Sequence, residues 1–169
     1  MRKWQALKYG VATLVFGVFG ALALSAESIV GRWKTIDDET GEAKSIVNIY
    51  LQGDLAFGRI EQLFRKPHED QDPVCDKCEG EEKGQKIKGM VIIKNMRKDG
   101  DEWVGGTILD PKKGKVYRCK LWVDPKNPDQ LRVRGYLGPF FRTQTWHRVK
   151  EEPKPVEQPK EAAKETKKK

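Results

Sequence analysis

From Glu102 to Val123 the chain reads as two short strands joined by a tight turn, and this pattern limits the fold more than any other stretch. Trp103, Gly105, Thr107 and Leu109 alternate with Val104, Gly106 and Ile108 on the outgoing strand. Tyr117, Cys119, Leu121 and Val123 share one face of the return strand, with Arg118 and Lys120 on the other. A period of two, apolar on one side and polar on the other, places one face in a core and the other in water. Asp110-Pro111 opens the turn because proline presets its φ, and Gly114 closes it because glycine tolerates a positive φ. Paired glycines are costly inside a strand, so Gly105-Gly106 predicts a sharp bend or a close backbone approach, as at a barrel corner. The hairpin therefore predicts a curved, closed antiparallel sheet, and it carries no chemistry of its own.

The same alternation predicts strands over 29–36, 44–51, 55–64, 90–96, 130–137 and 143–149, which with the hairpin make eight. Turn residues such as Asp37-Asp38 with Gly41, and Gln52-Gly53-Asp54, separate them. Eight is the number at which an up-and-down antiparallel sheet closes on itself and either fills with side chains or holds one small ligand. A two-sheet sandwich is the other architecture this pattern allows.

Residues 65–89 break the alternation and carry Cys75-Asp76-Lys77-Cys78. A connection this long in a compact domain is functional or locally cross-linked. A redox dithiol needs cations or a helix N-terminus to stabilise its thiolate, whereas Asp76, Glu79, Glu81 and Glu82 raise a thiol pKa. A structural zinc site needs four ligands, and Cys75, Cys78 and His68 fall one short unless a carboxylate or His147 joins. An oxidising compartment favours a Cys75–Cys78 disulfide that staples the loop, with no metal. Cys119, on an apolar strand face, reads as a small buried hydrophobe, with pairing to Cys75 or Cys78 left open.

That compartment is inferred from the start of the chain. Arg2, Lys3 and Lys8 precede an apolar run over 11–24 and the small residues Ala23, Ser25 and Ala26, the pattern of a signal peptide over 1–26. An uncleaved anchor is the other reading, but the run is shorter than the roughly 20 apolar residues a spanning helix needs. The expected mature domain covers 27–149 and is not membrane-embedded once the leader is gone. Residues 150–169, rich in Lys, Glu, Pro and Ala, form a tail too poor in apolar surface to order itself. Of the formal charge of +8, only about +3 belongs to residues 27–149, too little to argue for a nucleic-acid partner. Four tryptophans remain after the leader, all within strand patterns where core or barrel-end packing is the common role. His68 and His147 lack a nucleophile at a recognisable spacing, and no catalytic motif is present, so the chain is not expected to be an enzyme or to need a cofactor. Arg132 and Arg134 alternate with Leu131 and Val133 and read as a solvated face.

Several segments occur together: Gly31-x-Trp33, Gly58-Arg59-Ile60, Cys75-x-x-Cys78, Trp103-x-Gly105-Gly106-x-Ile108-Leu109-Asp110-Pro111, Gly114-Lys115-x-Tyr117-x-Cys119, Arg134-Gly135-Tyr136 and Arg142-Thr143-Gln144-x-Trp146-x-Arg148. This set resembles a family of small secreted bacterial proteins, domain-of-unknown-function family 2147, whose members are similar to lipocalins. Phe140-Phe141 departs from it, standing where a glycine is expected before the Arg-Thr-Gln segment. The resemblance implies an all-β, lipocalin- or calycin-like barrel in which Trp33 packs near Arg148 and closes one mouth. It implies no catalytic residue.

These readings predict a periplasmic or secreted binding protein for a small, largely apolar ligand such as a fatty acid. Inward candidates Val47, Ile49, Ala56, Gly58, Ile60, Gly105, Thr107, Leu121, Val133 and Gly135 include several small residues, which leaves room for a chamber. Of these, Gly58, Ile60, Gly105, Thr107, Leu121 and Val133 are the expected ligand contacts, with the Cys75–Cys78 loop as a lid. The alternative is an envelope interaction or structural protein with a filled barrel that acts through its loops.

Overall fold

Eight strands follow one another around a closed antiparallel barrel: β1 (Gly31–Ile36), β2 (Ala43–Gln52), β3 (Leu55–Leu63), β4 (Val91–Asp99), β5 (Glu102–Asp110), β6 (Lys115–Asp124), β7 (Asn127–Leu137) and β8 (Phe140–Arg148). The structure is a computed structural model describing residues 28–38 and 40–150; the expected leader and all but the first residue of the expected tail lie outside the described residues. Each strand pairs with its sequence neighbour, and β8 returns to β1, so the up-and-down barrel holds and the sandwich does not. β8 begins at Phe140, three residues before the expected start, because Phe140 and Phe141 continue the ladder opposite Leu137 and Tyr136.

The closing seam is the shortest ladder, with Trp33 opposite Arg148 and Lys34 opposite His147. One further backbone bond, from Val149 N–H to the Arg32 carbonyl at 2.8 Å, extends it. Side chains pin the seam at both ends. At one end the Arg148 guanidinium lies 4.1 Å from the centre of the Trp33 ring and donates to the Ser28 carbonyl at 2.9 Å. At the other, Asp38 accepts from Arg142 Nε at 2.9 Å and from Gln144 Nε2 at 3.2 Å.

The middle of the barrel is filled. Val47, Ile49, Ala56, Ile93, Met96, Leu121 and Leu131 have no accessible surface, either to the outside or to an internal chamber. The small inward residues leave no room for a ligand, because larger neighbours use the space. A Cβ on Gly58 would sit 2.9 Å from Ile93 Cδ1, closer than packed atoms come, whereas one on Gly135 would meet Tyr117 Cβ at an ordinary 3.7 Å. This is the close packing expected of a protein interior, and it corrects the expected chamber.

The central hairpin also departs from simple alternation. Trp103 pairs with Leu121 but Gly106 with Cys119, so an extra residue is inserted in β5 between them. A bulge of this kind moves every later side chain to the opposite face. Trp103, Gly106 and Ile108 consequently pack on or within the core, whereas Gly105 is exposed at φ +76° and Thr107 turns outward, which corrects the inward placement of both. β4 carries the matching irregularity at Asn95, a non-glycine residue with φ of 58°.

Leu109, now outward, is still buried. The long β3–β4 connection lies against the outer wall over Leu109 and Ile92 and brings Cys75, Cys78 and Met90 into the same apolar cluster. Cys75 and Cys78 form a disulfide, as expected. Cys75 Sγ lies 3.2 Å from the Pro111 carbonyl, and a Cβ on Gly114 would strike the Lys77 carbonyl at 1.8 Å. The Glu82 carboxylate accepts from the Lys94 ammonium, which holds its pKa below the ordinary carboxylate range. The loop is therefore a buttress on the β4–β5 wall rather than a lid.

Candidate functional site

In an up-and-down barrel alternate turns share an end. The β2–β3, β4–β5 and β6–β7 turns lie at the end where β1 begins and β8 finishes. Here a recess of about 820 Å³ opens to solvent. Its apolar lining comes from Ile29, Leu51, Leu55, Trp103 and Val123, and its rim carries Arg97, Lys98, Asp54, Asp101 and Asp124.

Each of these side chains is held there for a local reason. The strands run out into the turns, so Leu51 and Leu55 flank the β2–β3 turn and Val123 ends β6 with its side chain packed against the core. Trp103 faces inward just before the β5 bulge, which places its ring at the top of the packed interior. Ile29 precedes the first strand and folds across the mouth because its carbonyl accepts from Trp33 Nε1 at 2.7 Å. Arg148 fastens the same segment through the Ser28 carbonyl. Trp33 and Arg148 thus hold the segment Ser28, Ile29 and Val30 that lines one side of the recess.

The rim charges are not equivalent. Asp124 is engaged: the Lys126 backbone N–H and the Arg132 guanidinium, at 2.9 and 3.0 Å, hold its carboxyl below the ordinary range. Arg97 and Lys98 make no ion pair among the described residues, and neither do Asp54 and Asp101 on the same rim. The recess can therefore take an apolar body on its floor, with two free cations and two free carboxylates around its rim to meet a polar head.

None of the expected ligand contacts lines this recess. Gly58, Ile60, Leu121 and Val133 are buried in the filled interior, and Gly105 and Thr107 are on the outer side of β5. The residues that do line it were missed, although a signal for them existed. Once eight up-and-down strands are assumed, turn parity alone gathers 52–54, 99–101 and 124–127 at one end. Leu51, Leu55 and Val123 are the apolar residues beside those turns.

Cys119 is the free thiol, and it is buried, donating to Met96 Sδ at 3.3 Å. Burial pushes its pKa up to about 12 from an ordinary value of 9.0. In the unfolded chain the thiol ionises near its ordinary value, while in the folded barrel it keeps its proton. The folded state then binds the extra proton, so stability falls as pH rises from about 9 to about 12 and levels beyond that. The full difference is on the order of 4 kcal/mol. Comparing denaturant midpoints of the wild type and Cys119→Ala across that window isolates the thiol: the variant should lack this component of the alkaline decline. A wild-type curve that parallels the variant throughout would contradict a buried, protonated Cys119.

Residues 31–148 match the family model described as "Uncharacterized protein conserved in bacteria (DUF2147)". Among solved structures the chain is similar to a protein from the human pathogen Helicobacter pylori that is described as belonging to the lipocalin family. The two share 15% sequence identity with a TM-score of 0.61, over 73% of this chain and 84% of that one. At that identity the likeness is one of fold. No curated protein matches the sequence.

Proposed function

The chain belongs to the DUF2147 family of bacterial proteins, and since that family supplies a barrel and no activity, we propose a function from the mouth: binding of a small amphipathic ligand, largely apolar, of the fatty-acid class. The observation that carries this reading is the open recess with an apolar floor; Arg97 and Lys98 are adjacent on its rim, and the unpaired Asp54 and Asp101 share that rim. Its volume lies within the range of about 300–1,000 Å³ usual for small-molecule sites. The acyl portion lies along Leu51, Leu55, Trp103 and Val123, and the carboxylate faces Arg97 and Lys98. The ligand rests at the end of the barrel and not inside it. The protein acts by binding, without catalysis, and does so in the periplasm or outside the cell, a location that follows from the leader read in the sequence.

A fluorescent fatty acid titrated into the purified protein tests this. The wild type should bind it, Trp103→Ala should weaken binding about tenfold through loss of the aromatic floor, and Arg97→Glu with Lys98→Glu should weaken a fatty acid more than its methyl ester. Val133→Ala, inside the filled barrel, should leave affinity unchanged. Absence of uptake by the wild type would reject the reading. The filled interior would then favour the second one, an envelope interaction protein working through its loops.

A further inference from the structure

The barrel end opposite the recess carries an apolar hairpin that ligand binding does not use. At the β7–β8 turn Leu137, Phe140 and Phe141 are 66%, 74% and 61% exposed, and Val116 on the adjacent strand β6 is 63% exposed. The hairpin is apolar on both faces. Leu137 and Phe140 pair with each other on the same side as inward Val133 and Gly135. Tyr136 and Phe141 pair on the outer side, with ring centres 6.2 Å apart. A flat protein partner would remove one such face from water. A medium that surrounds the tip removes both.

Charge indicates which medium. Lys112, Lys113 and Lys115 project from the β5–β6 turn at the same end, and Arg118 stands on the outer wall opposite Tyr136. None of the four makes an ion pair among the described residues. Asp110, the acid within that turn, accepts from the backbone N–H groups of Lys112 and Lys113, not from their ammonium groups. Arg134 lies at the base of the hairpin with its guanidinium 4.5 Å from the Phe141 ring centre and 5.1 Å from that of Trp122. The arrangement is a wedge of large apolar side chains backed by aromatic rings and by cations that make no ion pair, bordered beside Lys115 and Val116 by Glu79 and the Lys94-paired Glu82.

We propose that the β7–β8 hairpin tip docks this barrel on an anionic lipid surface. Leu137, Phe140, Phe141 and Val116 enter the boundary between headgroups and acyl chains, and the lysines with Arg118 and Arg134 lie at phosphate level. The apolar Phe140 and Phe141 rings suit the acyl side of that boundary, and the Tyr136 hydroxyl suits its wet side. In this pose the recess at the far end opens away from the bilayer, and the docking does not depend on whether the recess holds a ligand.

The protein as purified from its cells is floated with vesicles of phosphatidylcholine alone or with one third phosphatidylglycerol. Binding should require the anionic lipid and weaken at least tenfold at high salt. Phe140→Ser with Phe141→Ser should lower partitioning at least tenfold while leaving the β-sheet circular dichroism unchanged. A second variant, Phe140→Trp, reads depth directly. In vesicles containing brominated lipid its fluorescence should be quenched more than that of the wild type, whose own tryptophans contribute equally to both. Equal quenching of the two proteins, or undiminished flotation of the folded double-serine variant, would overturn the proposal. So would a lipid-free sedimentation coefficient that falls on the double-serine change, which would show the tip to be a contact between copies of this chain.

Discussion

Gly106→Ala should destabilise the barrel by about 3 kcal/mol or more, and Gly105→Ala by only about 1, although the two glycines are adjacent. A Cβ on Gly106 would lie 2.3 Å from the Lys94 carbonyl oxygen, 2.4 Å from Met96 Sδ and 2.9 Å from the Asn95 carbonyl carbon. Met96 could swing aside, but the other two atoms belong to backbone in the paired strand. Relief would mean separating β4 from β5 where Asn95 already takes a positive φ. Gly105 meets nothing within 4 Å, so its substitution costs only the strain of a side chain at φ +76°. A domain of this size has a total stability of about 5–15 kcal/mol, so the first change removes a large share of it. Denaturant midpoints of the two single variants decide the matter. Equal losses would mean that the bulge does not place Gly106 against β4.

Trp33→Ala should cost about 3–5 kcal/mol, the range for truncating a fully buried aromatic side chain. The ring has no exposed surface, its Nε1 donates to the Ile29 carbonyl, and it carries the Arg148 guanidinium on its face. It sits on the weakest ladder of the barrel, the β1–β8 seam, so its loss removes packing where backbone pairing offers least support. Arg148→Ala should cost less, about 1 kcal/mol for the ring contact, with some further loosening of Ser28 and Val30. Urea titrations monitored by circular dichroism give both values. Amide exchange should show the Trp33→Ala variant opening first at residues 31–36 and 143–148. A loss below about 1 kcal/mol for Trp33→Ala would mean that the seam closes without the ring. Because Ile29 is held by Trp33, the same variant should also disturb the recess, whereas Gly105→Ala should not.

These two results depend on features that were legible to different degrees. Strand number and hairpin order follow from alternation and turn residues, which are local properties of consecutive side chains, whereas the pairing of β8 with β1 decides closure against the sandwich. Cys119 could be assigned to the core from its neighbours Tyr117 and Leu121, and its burial agrees. The Cys75–Cys78 pair was read from the oxidising compartment that the leader implies, with the acidic surroundings arguing against a reactive dithiol. The bulge in β5 was not readable. Gly105-Gly106 announced a distortion, but which glycine faces inward depends on the pairing with β4 and β6, and that pairing involves residues distant in the chain. One inserted residue was enough to turn Gly105 and Thr107 outward and bring Gly106 against Lys94.

The sequence by itself determined that the sheet is antiparallel, with about eight strands and turns between them, because a period of two and a turn signal are carried by adjacent residues. Tertiary structure decided everything that depends on filled space. Gly58 looked like a vacancy in one dimension, but Ile93 occupies the space beside it. The loop at 65–89 could have covered a mouth, yet it covers the outward faces of Ile92 and Leu109, since those apolar side chains would otherwise face water. The recess lies at the end of the barrel, where the strands run out, because inward side chains close-pack the middle of the barrel below it.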